Sequence, residues 1–553
     1  MAFSQPVRWL WIFAAPLLFS PLLFFGPPFR CAFCILLLSS FWIVEVVPIG
    51  ITSLLPIFLF PVLSIVSAKD ICQNYFKDSI VLFICTMAMT LAVEETNLHK
   101  RIALKLLCKV GTKKQTMVLG FMCTTAFLSF FLSDTATTAL MIPIALAIIR
   151  ATNSVAEDTG MNDGSSEESL EKLGDVKNLS RSQRGFCKAL VLACSHGSLI
   201  GGTAIITSTG PNLVFREIIQ TVYAEDEIRV SYLQWMTFAF PPMLLYLTSS
   251  FLVLSCFFMG PRHLLLWCAR PTIEEKRVSR AVMKNIHNAY NDLGSFSFAE
   301  KSILFWFAIL MGCWIFRSPG FMAGWGDFFP DGGKYLTDSV PGIVIVFLLF
   351  MWPKDPFTKG RSPDYSPILT WPMMQRRFAW SCALLIGAGY AISEGVQKSG
   401  LSTLISCTMK DVFSKLNSME LQVMVTVSIT AMTEFASNVS TGSIFIPIVL
   451  SIAESLHIHP LYLALPATVT CSFAFMFPMA TPPNAIVYDT RIVGMLEMIA
   501  TGVLVNICCI LITALNMNTW AYWLFDLGTV PYMLRNQNAT LLCLNTSASY
   551  PNS

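Results

Sequence analysis

Two apolar stretches of this chain are interrupted by the same short polar pattern, and that repetition limits the fold more than any other feature. The first runs Ser133-Asp134-Thr135-Ala136-Thr137, then Ile142-Pro143-Ile144; the second runs Ser437-Asn438-Val439-Ser440-Thr441, then Ile446-Pro447-Ile448. In both, Pro stands 10 positions after Ser. A second pair of breaks follows, Thr209-Gly210-Pro211-Asn212 and Thr481-Pro482-Pro483-Asn484. Pro143 and Thr209 are 66 positions apart and Pro447 and Thr481 are 34 apart; the excess of 32 nearly matches a polar stretch at 151–184. With that stretch set aside, the halves agree. Backbone polar groups in hydrocarbon need partners, so such interruptions have to line a polar cavity. Two repeats, each with an interrupted membrane segment and a second break, mark a secondary transporter. The Ser, Thr and Asn oxygens at the tips suit a weakly held hard cation such as sodium. One such residue in a span is more often a helix-packing residue; two tips in matched repeats favour binding.

Composition places the breaks in a membrane. Of 553 residues, 54% are hydrophobic and 13% charged, about half the charge fraction of a soluble protein. A net charge of +3 is too small to indicate a nucleic-acid partner. The 17 Cys fall mostly in apolar segments. Cys31 and Cys34 have CxxC spacing within a span and read as small buried apolar residues. His457 and His459 read as the start of a span, not a metal pair. No pattern points to an enzyme.

Apolar runs of about 17–25 residues mark spans near 8–26, 31–48, 50–66, 79–96, 234–258, 300–316, 339–353, 378–395 and 494–523. Two re-entrant hairpins (116–150 and 420–452) and two broken spans (186–223 and 460–490) complete an all-α membrane protein of about 11 transmembrane helices. Glu45 and Glu94 lie at span ends and read as structural. The first repeat covers 1–290, the second 291–530, and a tail 531–553. Basic residues cluster at 97–114, 262–284 and 354–377, which places those loops and the N-terminus in the cytoplasm and the tail outside. The loop 151–184 is rich in Ser, Glu, Asp, Lys and Gly and reads as disordered.

Several stretches together resemble the divalent anion:sodium symporters, in the animal solute carrier 13 branch. They are Trp42-Ile43-Val44-Glu45, Asn97-Leu98-His99-Lys100-Arg101, Pro319-Gly320-Phe321-Met322, Ser437-Asn438-Val439 and Ala480-Thr481-Pro482-Pro483-Asn484. The resemblance implies an inverted-repeat homodimer in the plasma membrane and sodium-coupled uptake of di- or tricarboxylates or sulfate. It also implies an elevator-type motion of a domain carrying both hairpins. Sodium ions are co-transported and no other cofactor is implied. Carried over by position, one sodium falls to Ser129, Ser133, Asp134 and Ser208, and a second to Thr433, Ala436, Asn438 and Ala480. The substrate falls to Asp134, Thr135, Thr209, Ser437, Asn438, Val439, Thr481 and Pro482. Ala136, Gly202-Thr203-Ala204, Val439 and Thr481 resemble the carboxylate branch more than the sulfate branch.

The chain departs from the family pattern at the first tip, where Asp134 replaces the usual Asn. Ser208 and Ser440 also differ from the usual Gly and Ala, and the Gly-rich turn of the ninth span reads Gly387-Ala388-Gly389. An uncoupled anion channel is the alternative from another class; continuous pore-lining spans would mark it, in place of paired breaks.

The external tail has a direct test. Asn538 and Asn545 stand in glycosylation sequons, as does Asn178 in the loop assigned to the cytoplasm. Glycans are expected at Asn538 or Asn545 and not at Asn178. A glycosidase-sensitive mass shift that survives removal of both tail sequons would refute the orientation.

Overall fold

The computed structural model describes residues 5–110, 113–157, 181–223, 228, 230–260, 273–318, 322–330, 335–357, 364–401, 404 and 417–529. The sequons at Asn178, Asn538 and Asn545 lie outside these. The helices in chain order begin with α1 (Gln5–Phe19), α2 (Pro27–Val44), α3 (Ile49–Thr52), α4 (Pro56–Val62), α5 (Ala68–Gln73), α6 (Asp78–Glu95) and α7 (Leu98–Leu107). The first interrupted region follows as α8 (Lys114–Ser129), α9 (Asp134–Glu157), α10 (Arg181–Gly201) and α11 (Gly210–Val222). Then come α12 (Tyr232–Leu254), α13 (Ile273–Asn291), α14 (Phe298–Ile315), α15 (Ser339–Leu349), α16 (Trp371–Arg377) and α17 (Trp380–Lys398). The second interrupted region is α18 (Ser418–Thr433), α19 (Asn438–Ser455), α20 (Pro460–Thr470) and α21 (Pro482–Asp489), and α22 (Met495–Asn518) and α23 (Trp520–Leu524) close the order.

Among the described residues six helical runs are long and apolar enough to cross a membrane, and a seventh is the pair α16–α17 bent by 65°. Bulky apolar side chains such as Phe305, Phe347 and Leu511 face outward; in water such a surface would drive association, and in lipid it is the ordinary exterior. The protein is a multi-pass membrane protein.

Three sequence expectations need correction. The run 50–66 forms two short helices, α3 and α4, because Pro56 opens the second and Pro61 stands inside it; neither is long enough to cross. The loop 151–184 is helical at both ends: α9 continues to Glu157 and α10 begins at Arg181, since Ala151-Thr152-Asn153-Ser154-Val155-Ala156-Glu157 contains neither Gly nor Pro. Residues 158–180 lie outside the described ones. The fold is also not wholly α. Strands β1 (Pro353–Asp355) and β2 (Asp364–Pro367) pair antiparallel, with Pro353 opposite Pro367 and Asp355 opposite Asp364.

Each tip is a helix start of ordinary chemistry. Ser437 caps α19, its Oγ accepting from the Ser440 amide at 3.2 Å; Ser133 does the same for α9, accepting from the Ala136 amide at 3.3 Å. A hydroxyl cap satisfies an amide that an interrupted helix would otherwise leave bare. Behind the tips the interior divides in two. A large apolar core holds α8, α10, α12 and α20, and a smaller one gathers Cys31, Cys34, Leu38, Trp42, Phe60, Leu385 and Ile392 from α2, α4 and α17. Cys31 and Cys34 are buried free thiols. Glu45 ends α2 with a left-handed φ of 50° and lies 3.7 Å from Arg8.

The first tip is held against its break by backbone proximity along α8 and α10. A Cβ at Gly201 would stand 2.4 Å from the Ala126 carbonyl oxygen, and one at Gly197 would stand 2.7 Å from that of Met122. Small residues let membrane helices approach this closely. Gly201→Val should therefore cost about 1–3 kcal/mol through overpacking, whereas Gly312→Ala, with nothing within 4 Å of the added carbon, should be silent. Thermal unfolding of the purified variants checks this; equal melting temperatures would show that the seam yields.

Candidate site at the two hairpin tips

The same hydrogen-bond set is built twice. At the first tip, Ser129 Oγ, at the end of α8, lies 2.7 Å from Asp134 Oδ1 and donates across to the Ser198 carbonyl of α10 at 2.8 Å. At the second, Thr433 Oγ1, at the end of α18, lies 3.1 Å from Asn438 Oδ1 and 2.7 Å from the Cys471 carbonyl beyond α20. Each hydroxyl ties a tip to its neighbouring break.

The breaks match as well. Asn212 Nδ2 donates to the carbonyls of Ile205 at 3.0 Å and Gly202 at 3.4 Å. Asn484 Nδ2 donates to those of Phe477 at 3.2 Å and Ala474 at 2.8 Å. The Ser208 amide closes a turn on Ile205, and the Ala480 amide closes one on Phe477, both at 3.2 Å. Ser208 Oγ also donates to the Gly202 and Ile205 carbonyls. The two broken spans touch, because Ser195 Oγ of α10 donates to Asn484 Oδ1 of α21. Thr209 and Thr481 precede α11 and α21 in extended conformation. Their hydroxyls are buried without a partner among the described residues, a costly state unless something else is bound there.

One cavity of about 590 Å³ collects these elements. All eight residues carried over for the substrate line it: Asp134, Thr135, Thr209, Ser437, Asn438, Val439, Thr481 and Pro482. Ser133, Ser208 and Ala480 line it too, whereas Ser129, Thr433 and Ala436 lie behind the lining. The first residues of four helices, Asp134, Gly210, Asn438 and Pro482, all face it. Opposite them stand Phe83, Thr86 and Thr90 of α6, Tyr232, Trp314, and Ser381 and Leu385 of α17. Glu94 and Arg377 line it too, and Arg377 Nη2 donates to Glu94 Oε2 at 2.6 Å, so the carboxylate at the end of α6 has a cation partner.

Two kinds of residue escaped the sequence reading. The α6 and α17 walls carry neither of the repeated polar patterns, and only the closed fold brings them to the tips. Glu434, beside the second tip, is 2% exposed; its partners are 41 to 72 positions away, beyond any local pattern. A buried acid in a membrane segment was the available signal. Among the described residues no group of three His, Cys, Asp or Glu side chains could hold a metal.

Comparison with known proteins fixes the family. The model of the sodium:sulfate symporter transmembrane region matches residues 17–527. Sodium-dependent high-affinity dicarboxylate transporter 2 of Caenorhabditis elegans is 54% identical over 551 residues, covering 99% of this chain and 98% of that protein. The Na(+)/citrate cotransporter of Rattus norvegicus is 37% identical over 551 residues, covering 94% and 96%. The Na(+)/dicarboxylate cotransporter 3 of Homo sapiens is 34% identical over 567 residues, covering 95% and 93%. Among solved structures, the Neisseria gonorrhoeae MtrF efflux pump aligns with a TM-score of 0.48 and 10% identity, covering 84% of this chain and 85% of that one. With the family match spanning most of the chain, the protein is a membrane transporter, not an enzyme, and belongs to the divalent anion:sodium symporter family, in its animal solute carrier 13 branch.

Proposed function

We propose that this chain couples sodium to the movement of di- or tricarboxylates, of the succinate or citrate class, through the cavity between the tips. The observation that carries this reading is the convergence of four helix N-termini on one cavity. Helix N-termini present unsatisfied amides and a positive dipole end, which favours an anion. The unpartnered Thr209 and Thr481 hydroxyls are donors that a carboxylate accepts from. Neutral donors hold an anion without the tight ion pair that would slow its release.

The sodium ions belong beside the tips. One is assigned to Ser129, Ser133, Asp134 and Ser208, the other to Thr433, Ala436, Asn438 and Ala480. Oxygen-rich surroundings support both: Ser129, Asp134 and the Ser198 carbonyl meet at one, and Thr433, Asn438 and the Cys471 carbonyl at the other. The matched bonds support two inverted repeats, 1–290 and 291–530, with two re-entrant hairpins, two broken helices and about 11 spans. In this reading α16–α17 and α6 belong to a fixed, homodimeric scaffold, and the tips travel with α10 and α20 as an elevator. The cavity reaches Glu94 and Arg377, beside loops whose basic charge favours the cytoplasm, so this conformation faces inward. The N-terminus is then cytoplasmic and the tail external, in the plasma membrane.

Radiolabelled succinate and citrate uptake in sodium against choline medium, with unlabelled competitors, tests the proposal. Sodium-independent uptake overturns the coupling, and competition by sulfate alone overturns the substrate class. Asn438→Ala should remove most uptake at normal surface expression, because it strips an oxygen from a buried site at about 1–3 kcal/mol; wild-type uptake and sodium affinity would sink its role.

Asp134 sets an electrostatic condition. Two unit charges 4 Å apart at an effective dielectric near 20 repel by about 4 kcal/mol, so an ionised Asp134 opposes a dicarboxylate unless sodium sits between them. Asp134→Asn is expected to raise substrate affinity and make it less steeply dependent on sodium. Identical sodium curves for both forms would mean that this carboxylate does not face the substrate.

A further inference from the structure

The two breaks are held open by different chemistry. At the first, the Thr203 and Ala204 amides close turns on the Ile200 and Gly201 carbonyls at 3.2 and 3.1 Å, and the Trp235 indole of α12 donates to the Thr203 carbonyl at 3.2 Å. All these partners are neutral. At the second, one carboxylate does the work. Glu434 Oε1 accepts from the Phe475 amide at 3.0 Å, the Met476 amide at 3.2 Å and Asn506 Nδ2 of α22 at 2.7 Å. Its Oε2 accepts from the Met476 amide at 3.0 Å and the Phe477 amide at 3.3 Å. Position 130, which stands to the first tip as 434 stands to the second, is Phe, packed among Phe127, Phe131 and Phe240.

We infer that Glu434 is a positioning residue for the second cation site, a role that rests on the proposed sodium coupling. A peptide unit is planar and trans, so fixing an N–H fixes the direction of the carbonyl on the opposite side. Holding the amides of Phe475, Met476 and Phe477 on one carboxylate turns the carbonyls of Ala474, Phe475 and Met476 away from it. The Ala474 carbonyl thereby meets Asn484 at 2.8 Å, and the Phe475 carbonyl meets α22 where Gly502 leaves room, 2.6 Å from where a Cβ would lie. Asn484 in turn fixes the start of α21 and the Ala480–Thr481 backbone. Glu434 adjoins Thr433 in the chain, so one side chain ties the tip, the break and α22 into a single unit. Each tip then has one acid in a different place: Asp134 at the first cation position itself, and Glu434 behind the second, acting through the backbone.

The test separates sodium affinity from substrate affinity. Glu434→Gln keeps the shape but turns an NH2 group toward amides that need an acceptor. Purified full-length protein is titrated with NaCl against choline chloride at constant ionic strength, following thermal stabilisation, and the same variants are assayed for uptake. The variant should need about ten-fold more sodium for half-maximal effect, as loss of charge-assisted hydrogen bonds implies, with the substrate KM at saturating sodium nearly unchanged. Asn506→Ala, which removes one donor and leaves the carboxylate in place, should weaken sodium by a smaller factor, and it carries the test if Glu434→Gln does not fold. Unaltered sodium dependence in either folded variant, or a rise in KM with sodium affinity intact, overturns the inference. A wild-type protein with no sodium response would instead overturn the symporter reading.

Discussion

A helix interrupted within hydrocarbon exposes amides and carbonyls that lipid cannot satisfy, and the whole site follows from how those groups are met. A hydroxyl at the end of one helix, Ser129 or Thr433, reaches a carbonyl of the adjacent broken span. A Ser caps the next helix, and an Asn side chain bridges two carbonyls within the break. Three polar side chains, used twice, make stable what would otherwise be a fault in the membrane. The groups left over, the Thr209 and Thr481 hydroxyls and four helix N-termini, face a common cavity.

Much of this was legible from the residues. The spacing of Ser133 and Ser437 to their Pro residues, and the pairing of Asn212 with Asn484, located the tips and breaks, because short polar runs in apolar segments have few physical meanings. What was hidden depended on distance in sequence. Phe83, Thr86 and Ser381 have no local signature as cavity walls; they become walls only when α6 and α17 close on the tips. Glu434 carries no local sign of its role, because its partners 475–477 and 506 lie 41 to 72 positions away. The division of 50–66 into α3 and α4 was readable from Pro56 and Pro61, but length and hydropathy together outweighed them. The β1–β2 ribbon lies in a loop that was read only for its positive charge.

The twofold plan is not carried through to charge. Asp134 stands where the second tip has neutral Asn438, and Glu434 stands where the first has Phe130. Repetition fixes the shape of the site, while the carboxylates are placed independently in each half. The two proposed cation positions thus share a framework but differ in the charge placed around them.

The bond from Ser195 to Asn484 has a consequence for how the chain is made. These partners are 289 positions apart. At about 5–20 residues per second, Ser195 is synthesised roughly 15–60 s before Asn484. Lys188 waits as long for Glu497, and Tyr246 for Thr513. The first half therefore enters the bilayer with its own tip and break bonds within reach, Ser129 to Ser198 and Asn212 to Ile205, but with Ser195, Lys188 and Tyr246 lacking these later partners. A chain halted at midpoint presents the quality-control machinery of the membrane with a buried serine and a lysine, each missing the residue that was to neutralise its cost.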